Sequence, residues 1–303
     1  MRVLAIGECM AELAPAETAG RFALGFAGDT FNTAWYLTKI MPTAEVSYFT
    51  AIGTDTLSQD LKNFMDASGL QSKHVQIIPD RTLGLYMITL TDGERSFTYW
   101  RGQSAARALA ADPEALIKAM DAADLIYFSG ITLAILDQAS KDTLVAAARA
   151  ARAAGKTIAF DPNLRPRLWT STDRMTETIM EAAAVSDIVL PSYEDEADWF
   201  GDATPGGTLQ RYLDVGASCV VVKNGPAPVL YSCDGAQGEI AITPVESVVD
   251  TTAAGDSFNA GLLAGRAATQ DIAKGIASGA ALARWVVSNK GALVPMDAFT
   301  LPV

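Results

Sequence analysis

Apolar and polar positions along the chain fall into two repeating patterns. Short apolar runs at 3–6, 125–128, 157–160, 188–190 and 219–222 have strand length, and each is soon followed by Gly or Pro. Between and after them lie stretches with apolar residues at helical spacing. These cover 30–40 (stopping before Pro42), 57–68 (closing at Gly69), an Ala-rich 141–154 (stopping at Gly155), 175–184, 208–215 (ending at Gly216), 253–267 and 273–287. Residues 46–52 alternate apolar and polar and add a strand. Continuous apolar strands alternating with helices predict an α/β fold with a parallel sheet covered on both faces. The segments 84–91 and 95–100 flank Asp92-Gly93-Glu94, a hairpin-turn signal. This hairpin stands outside the alternation, as an excursion that can serve as a lid.

Composition narrows the possibilities. The chain has 303 residues, 50% hydrophobic and 19% charged, which is enough for one large domain with a true core and excludes disorder, collagen and coiled coil. With 23 Lys+Arg against 35 Asp+Glu the net charge is −12, which argues against coating nucleic acid or docking on anionic lipid. No apolar run reaches the roughly 18 residues of a membrane span. The opening Met-Arg-Val-Leu-Ala-Ile-Gly-Glu is interrupted by Glu8 and lacks a signal-peptide layout. Cys9, Cys219 and Cys233 are odd in number and widely spaced, with no metal-ligand spacing and no disulfide framework, which suits a reducing cytosol. The expectation is a cytoplasmic protein. The single histidine, His74, sits in the polar stretch Gln71-Ser72-Lys73-His74 and reads as a solvated loop residue. Chemistry must then come from carboxylates, backbone amides, Arg and Lys.

The sharpest motif is Val249-Asp250-Thr251-Thr252-Ala253-Ala254-Gly255-Asp256-Ser257-Phe258. A Thr-rich turn runs through small residues into a helix, whose N-terminal amides can approach and hold an anion. A carboxylate beside an anion hole is what phosphoryl transfer to a hydroxyl requires: the amides stabilise the transferring group and the acid takes the proton. Asp is also a favoured helix cap, and spacing alone does not separate the two roles.

The segment Asp-Thr-Thr-x-Ala-Gly-Asp-x-Phe resembles the C-terminal signature of the ribokinase-like (PfkB) carbohydrate kinases. Gly28-Asp29-Thr30-Phe31-Asn32 is similar to that family's N-terminal sugar-binding motif, and Phe49-Thr50-Ala51-Ile52-Gly53-Thr54-Asp55 to the segment that follows it. The resemblance spans essentially the whole chain. It implies one ribokinase-like three-layer sandwich over 1–303, with a small β-sheet lid built from residues near 9–27 and 82–103. It further implies that Asp256 is the catalytic base, that Ala254, Gly255 and Asp256 form the anion hole, and that ATP with Mg2+ is the phosphoryl donor. Asn163, Ser192, Lys223, Gly225, Ala253 and Gly291 fall at nucleotide-side positions, and Asp250 and Thr252 where relatives hold a monovalent cation such as K+. Three departures stand out, one of them Pro228 where many relatives have glycine. Ala253 replaces a glycine of most relatives, and the magnesium-associated Asn-x-x-Glu is here Ser192-Tyr193-Glu194-Asp195 followed by Glu196, so the metal-side carboxylate is Asp195 or Glu196.

In Glu94-Arg95-Ser96-Phe97-Thr98-Tyr99-Trp100-Arg101, strand geometry puts Tyr99 and Arg101 on one face. A second arginine, Arg165, lies in Asp161-Pro162-Asn163-Leu164-Arg165, just past a strand's C-terminal end, where open α/β sheets bind ligands. Two arginines at one site point to a substrate with a negative group of its own. Both segments, and the opening Gly7-Glu8-Cys9-Met10-Ala11-Glu12-Leu13, resemble the 2-keto-3-deoxygluconate kinases within the family. The resemblance implies that Tyr86, Tyr99, Arg101 and Arg165 hold a sugar acid while Gly28, Asp29 and Asn32 hold its hydroxyls. The alternatives are a fructokinase or ribokinase acting on a neutral sugar, and a non-catalytic sugar-binding regulator on the same fold. An exposed lid edge leads to the expectation of a homo-oligomer through the lid.

Overall fold

A computed structural model describes residues 1–302 apart from 17, 19, 92 and 93, so the turn expected at 92–94 lies mostly outside the described residues. The strands are β1 Arg2–Ile6, β2 Met10–Pro15, β3 Phe22–Ala27, β4 Glu45–Ile52, β5 Gln71–Ile77, β6 Leu85–Thr91, β7 Glu94–Trp100, β8 Leu125–Ser129, β9 Thr157–Asp161, β10 Ile188–Val189, β11 Cys219–Val222, β12 Val229–Cys233 and β13 Ala236–Ile240. The helices are α1 Asp29–Ile40, α2 Thr56–Ser68, α3 Pro113–Asp121, α4 Gly130–Ile135, α5 Gln138–Ala153, α6 Thr172–Ala183, α7 Tyr193–Phe200, α8 Pro205–Asp214, α9 Ala254–Thr269 and α10 Ile272–Val287.

The large sheet has the order β13-β12-β11-β10-β9-β8-β1-β4-β5. It is parallel from β11 through β5, and only β12 and β13 run antiparallel. Successive residues of β1 feed opposite faces: Leu4 and Ile6 join one buried cluster with Phe49, Phe128 and Phe160, while Val3 and Ala5 join another with Phe31, Tyr48 and Tyr127. Helices therefore cover both faces, as the apolar runs predicted. A second sheet, β3-β2-β6-β7, stands apart and carries the hairpin the pattern had singled out. β2 joins it directly from the C-terminal end of β1.

The sequence reading needs four corrections here. His74 is not in a loop; it lies within β5, half-buried opposite Phe49. β12 and β13 were not foreseen, although Cys233-Asp234-Gly235-Ala236 carries an Asp-Gly hairpin turn, with φ 53° at Asp234 and 85° at Gly235. The helices α3, α4 and α7 were also missed. Finally, Cys219 and Cys233 are direct partners across β11 and β12 and form a disulfide, leaving Cys9 buried and free. Fourteen residues of separation hid a contact that one antiparallel turn creates.

Order reverses on either side of β1, with β4 to one side and β8 to the other. The crevice at such a switch point, above the C-terminal strand ends, is where ligands bind. A cavity of about 1040 Å3 opens there. It receives Glu8 after β1, Asp161 and Asn163 at the end of β9, Ser192 after β10 and Lys223 after β11, with the small sheet forming its opposite wall.

Candidate active site

The loop before α9 turns sharply at Ala253, whose φ of 60° is left-handed. The added methyl is thus held in a conformation that glycine adopts more readily. The Ala254 N–H donates back to Thr251 O at 3.2 Å, and the Ser257 N–H to Ala253 O at 2.9 Å. This corrects the expected anion hole. The amide of Ala254 is engaged in the turn, while Gly255 and Asp256 supply first-turn N–H groups that have no acceptor within the helix.

Asp256 is set by α1. Asn32 Nδ2 donates to Asp256 Oδ2 at 2.8 Å, and Thr33 Oγ1 to the Asp256 carbonyl at 3.0 Å. Asn32 is itself oriented by the Gly28 N–H, which donates to its Oδ1 at 3.3 Å. Gly28 must lack a side chain, because a Cβ there would lie 2.1 Å from Glu8 O. Burial, reinforced by the nearby negative charge of Asp29 and then Asp161, pushes the Asp256 carboxyl up to about 8 against the pull of Asn32 and Lys223.

Beneath the first turn of α9 lies a polar network that sequence reasoning found only in part. Lys223 Nζ donates to Asp161 Oδ2 and Asn259 Oδ1, both at 3.2 Å. Asn259 Nδ2 donates to Asp161 Oδ2 at 2.7 Å and to Tyr127 OH at 3.0 Å. A Cβ on Gly255 would sit 3.7 Å from Lys223 Nζ, so the ammonium flanks the helix terminus. Asp161 could have been found from its place at a strand's C-terminal end. Asn259 had only one signal, a polar residue one turn beyond Asp256. Asn163, expected toward the nucleotide, takes φ 36° and donates through Nδ2 to Asp29 Oδ2 at 2.8 Å. Burial raises the pKa of Asp29 as well.

Across the cavity the small sheet presents Tyr86, Ser96, Phe97, Tyr99 and Arg101. Tyr86 and Tyr99 are cross-strand partners with ring centroids 5.8 Å apart. Tyr86 is buried, and its hydroxyl donates to Glu12. Neither arginine stands alone. Arg101 pairs with buried Glu8, and Arg165 Nη1 lies 3.3 Å from Asp195 Oδ2 at the rim.

Other expected residues fall elsewhere. Glu196 is fully buried away from the cavity, where Arg211 and Tyr212 hold its carboxyl, and burial raises its pKa to about 7. The choice for a metal-side carboxylate therefore falls on Asp195, which lines the cavity. Gly225 is exposed in the turn after β11 and does not line it. Asp250 and Gly291 face a small adjoining cavity of about 50 Å3 shared with Thr252. There the Gly291 N–H donates to Asp250 Oδ2 at 2.7 Å, and Thr252 Oγ1 to Asp250 Oδ1 at 2.7 Å. Among the described residues no group of three or more His, Cys, Asp or Glu could hold a metal. Mg2+ in phosphoryl transfer needs only one or two carboxylates besides the phosphates. Asp195 fits that role: burial, and to a smaller extent the charge of Asp161, raise its pKa against the pull of Arg165, and a cation would favour its ionised form.

A family model described as pfkB family carbohydrate kinase matches residues 1–298. The chain belongs to the PfkB family of carbohydrate kinases. Curated relatives agree over nearly full length. A 2-dehydro-3-deoxygluconokinase of Dickeya dadantii is 39% identical over 307 residues, covering 97% of this chain and 96% of that one. Its counterpart from Haemophilus influenzae is 35% identical over 300 residues, covering 97% and 95%. Among solved structures, a putative ribokinase II of Escherichia coli in complex with ATP and Mg2+ superposes with a TM-score of 0.82 at 22% identity, covering 96% of this chain and 94% of that one. The architecture of this PfkB chain is ribokinase-like, with a large mostly parallel sheet and a small antiparallel-rich one. No helix among the described residues is long and apolar enough to cross a membrane.

Proposed function

We propose that this chain is an ATP-dependent kinase that phosphorylates the terminal hydroxyl of 2-keto-3-deoxygluconate, giving 2-keto-3-deoxy-6-phosphogluconate. The observation that carries the reading is one cavity lined both by Asp256 and the α9 terminus and by Tyr99, Arg101 and Arg165. The two full-length relatives bear the name of that activity.

In this reading the sugar's hydroxyls lie against Gly28, Asp29 and Asn32, and its carboxylate against Arg101 and Arg165. Asp256 accepts the proton of the terminal hydroxyl as its oxygen attacks the γ-phosphorus, the bond from that phosphorus to the β,γ-bridging oxygen breaks, and ADP leaves. The N–H groups of Gly255 and Asp256, with Lys223 beside them, stabilise charge on the phosphoryl oxygens. Mg2+, when bound, neutralises phosphate charge, with Asp195 on that side of the cavity. The small sheet acts as a lid that excludes water from the transfer. Asp250 and Thr252 would hold a monovalent cation such as K+ in the loop before α9.

We further propose that copies associate through the lid, whose strand β3 exposes Phe22 and Leu24. The setting is the cytoplasm, where ATP is available. There the Cys219–Cys233 bond is open to reduction by thiol buffers, while the hydrogen bonds of β11 and β12 persist without it.

An ATP-consumption assay over a panel of sugars and sugar acids tests the substrate. Turnover should be fastest with 2-keto-3-deoxygluconate, and Arg101→Ala should cut kcat/KM for it by about a hundredfold while leaving the slow turnover of fructose or ribose little changed. An Arg101→Ala enzyme that still prefers the sugar acid by the parent's margin would sink this assignment.

A further inference from the structure

Among the described residues, three buried side-chain polar atoms have no hydrogen-bond partner: Glu8 Oε1, Arg101 Nε and Ser104 Oγ. Glu8 and Arg101 line the cavity, and Ser104 lies in the turn behind Arg101. Glu8 follows Gly7 at the end of β1, in the rigid main sheet, and its side chain is 1% exposed. Arg101 follows β7, in the small sheet, and its guanidinium donates through Nη2 to Glu8 Oε2. The Ser104 N–H donates to Arg101 O at 3.2 Å and closes the turn behind it.

A buried carboxylate that uses only one of its oxygens is costly, and burying ions without full pairing seldom favours stability. The surrounding chain is nevertheless shaped to keep it. Gly84, at the entrance to β6, leaves the space that Glu8 needs: a Cβ there would lie 2.8 Å from Glu8 Oε1 and 3.2 Å from Arg101 Cβ. An arginine on a lid strand has several free torsions, and a single buried partner on a rigid strand removes most of that freedom.

We propose that Glu8 is a positioning residue, which fixes the Arg101 guanidinium from the end of β1 so that Arg101 meets the anionic group of the substrate in one orientation. This rests on the sugar-acid reading above. Glu8 thereby ties the small sheet to the main sheet at the point where the sugar's charge is recognised. Its removal loosens sugar-acid binding without touching the nucleotide end.

The test is a double-mutant cycle in the full-length enzyme, with Glu8→Gln, Arg101→Ala and the pair. Glu8→Gln, which keeps the shape but not the charge, should raise KM for the sugar acid by about tenfold or more and leave KM for ATP within about twofold. The pair should be no worse than Arg101→Ala alone, because Glu8 acts through Arg101. A sugar-acid KM for Glu8→Gln within about twofold of the parent, or losses that simply add, overturns the inference. Should Glu8→Gln fail to fold, Gly84→Ala carries the same test. It keeps both charges and wedges a methyl against Glu8 Oε1, and an unchanged sugar-acid KM there is equally fatal. A parent enzyme that prefers neutral sugars overturns the substrate reading instead, and does so before any variant is made.

Discussion

At the scale of single residues, Asp256 combines two demands that pull against each other. A proton acceptor must be ionised, yet burial beside Asp29 and Asp161 favours its neutral form and raises its pKa to about 8. The sign follows directly. In the free enzyme the active, deprotonated form grows as pH rises, so kcat/KM should climb between pH 7 and 9 with a midpoint near 8. The same shift means that the folded chain binds more protons than the unfolded one between the two pKa values, so this group's contribution to stability declines as pH rises through that interval. Asp256→Asn should lower kcat by about a thousandfold and flatten the pH profile, with sugar-acid affinity nearly kept, as measured by steady-state kinetics and calorimetric binding. A variant with near-normal kcat would show that Asp256 is not the proton acceptor. Asp256 and Gly255 were legible in the sequence because the motif is contiguous. The partners of the arginines were not, since Glu8 and Arg101 lie 93 positions apart and Asp195 lies 30 from Arg165. The chain could display two cations but not the carboxylates already holding them.

At the scale of elements, most helices and parallel strands followed from apolar periodicity, but the short helices α3, α4 and α7 did not. β5 and β13 were hidden because Gln71–Ile77 and Ala236–Ile240 have polar, mostly half-exposed sequences, and β12 went unseen with its partner β13. The element on which the chemistry depends most is α9, which lies tightly against α10. A Cβ on Gly261 would lie 2.6 Å from Ser278 O, and one on Gly279 2.7 Å from Phe258 O. Both neighbours are backbone atoms that cannot swing aside. Gly261→Ala should therefore destabilise the fold by about 2 kcal/mol despite the better helix propensity of alanine. Denaturant titration measures this, and a neutral or stabilising result would mean that the helices separate freely. Because α9 carries Asp256 at its start, loss of kcat should accompany any such shift.

At the scale of the whole molecule, a chain of net charge −12 gathers four cations, Arg101, Arg165, Arg167 and Lys223, in one cavity beside five acids, so the local balance there is far closer to neutral than the chain as a whole. The paired cysteines also belong to this scale, since they join strands at the outer end of the large sheet. Thiol titration of the unfolded chain should find one reactive thiol, Cys9, before reduction and three after it. Three thiols from the outset would mean that β11 and β12 are held by backbone pairing alone.

In the proposed mechanism the proton acceptor and the stabilising amides occupy adjacent positions in the first turn of α9, whereas the groups facing the sugar come from the start of α1, from β6 and β7, and from the stretches after β7 and β9. Transfer and recognition are thus written on separate pieces of chain. A laboratory or a lineage could exchange the recognition pieces to accept a new alcohol while inheriting the transfer step intact. The acid beside those amides is tuned from other pieces of chain as well, by Asn32 of α1 and by Lys223 after β11, so its proton affinity can be changed without moving the turn that presents it.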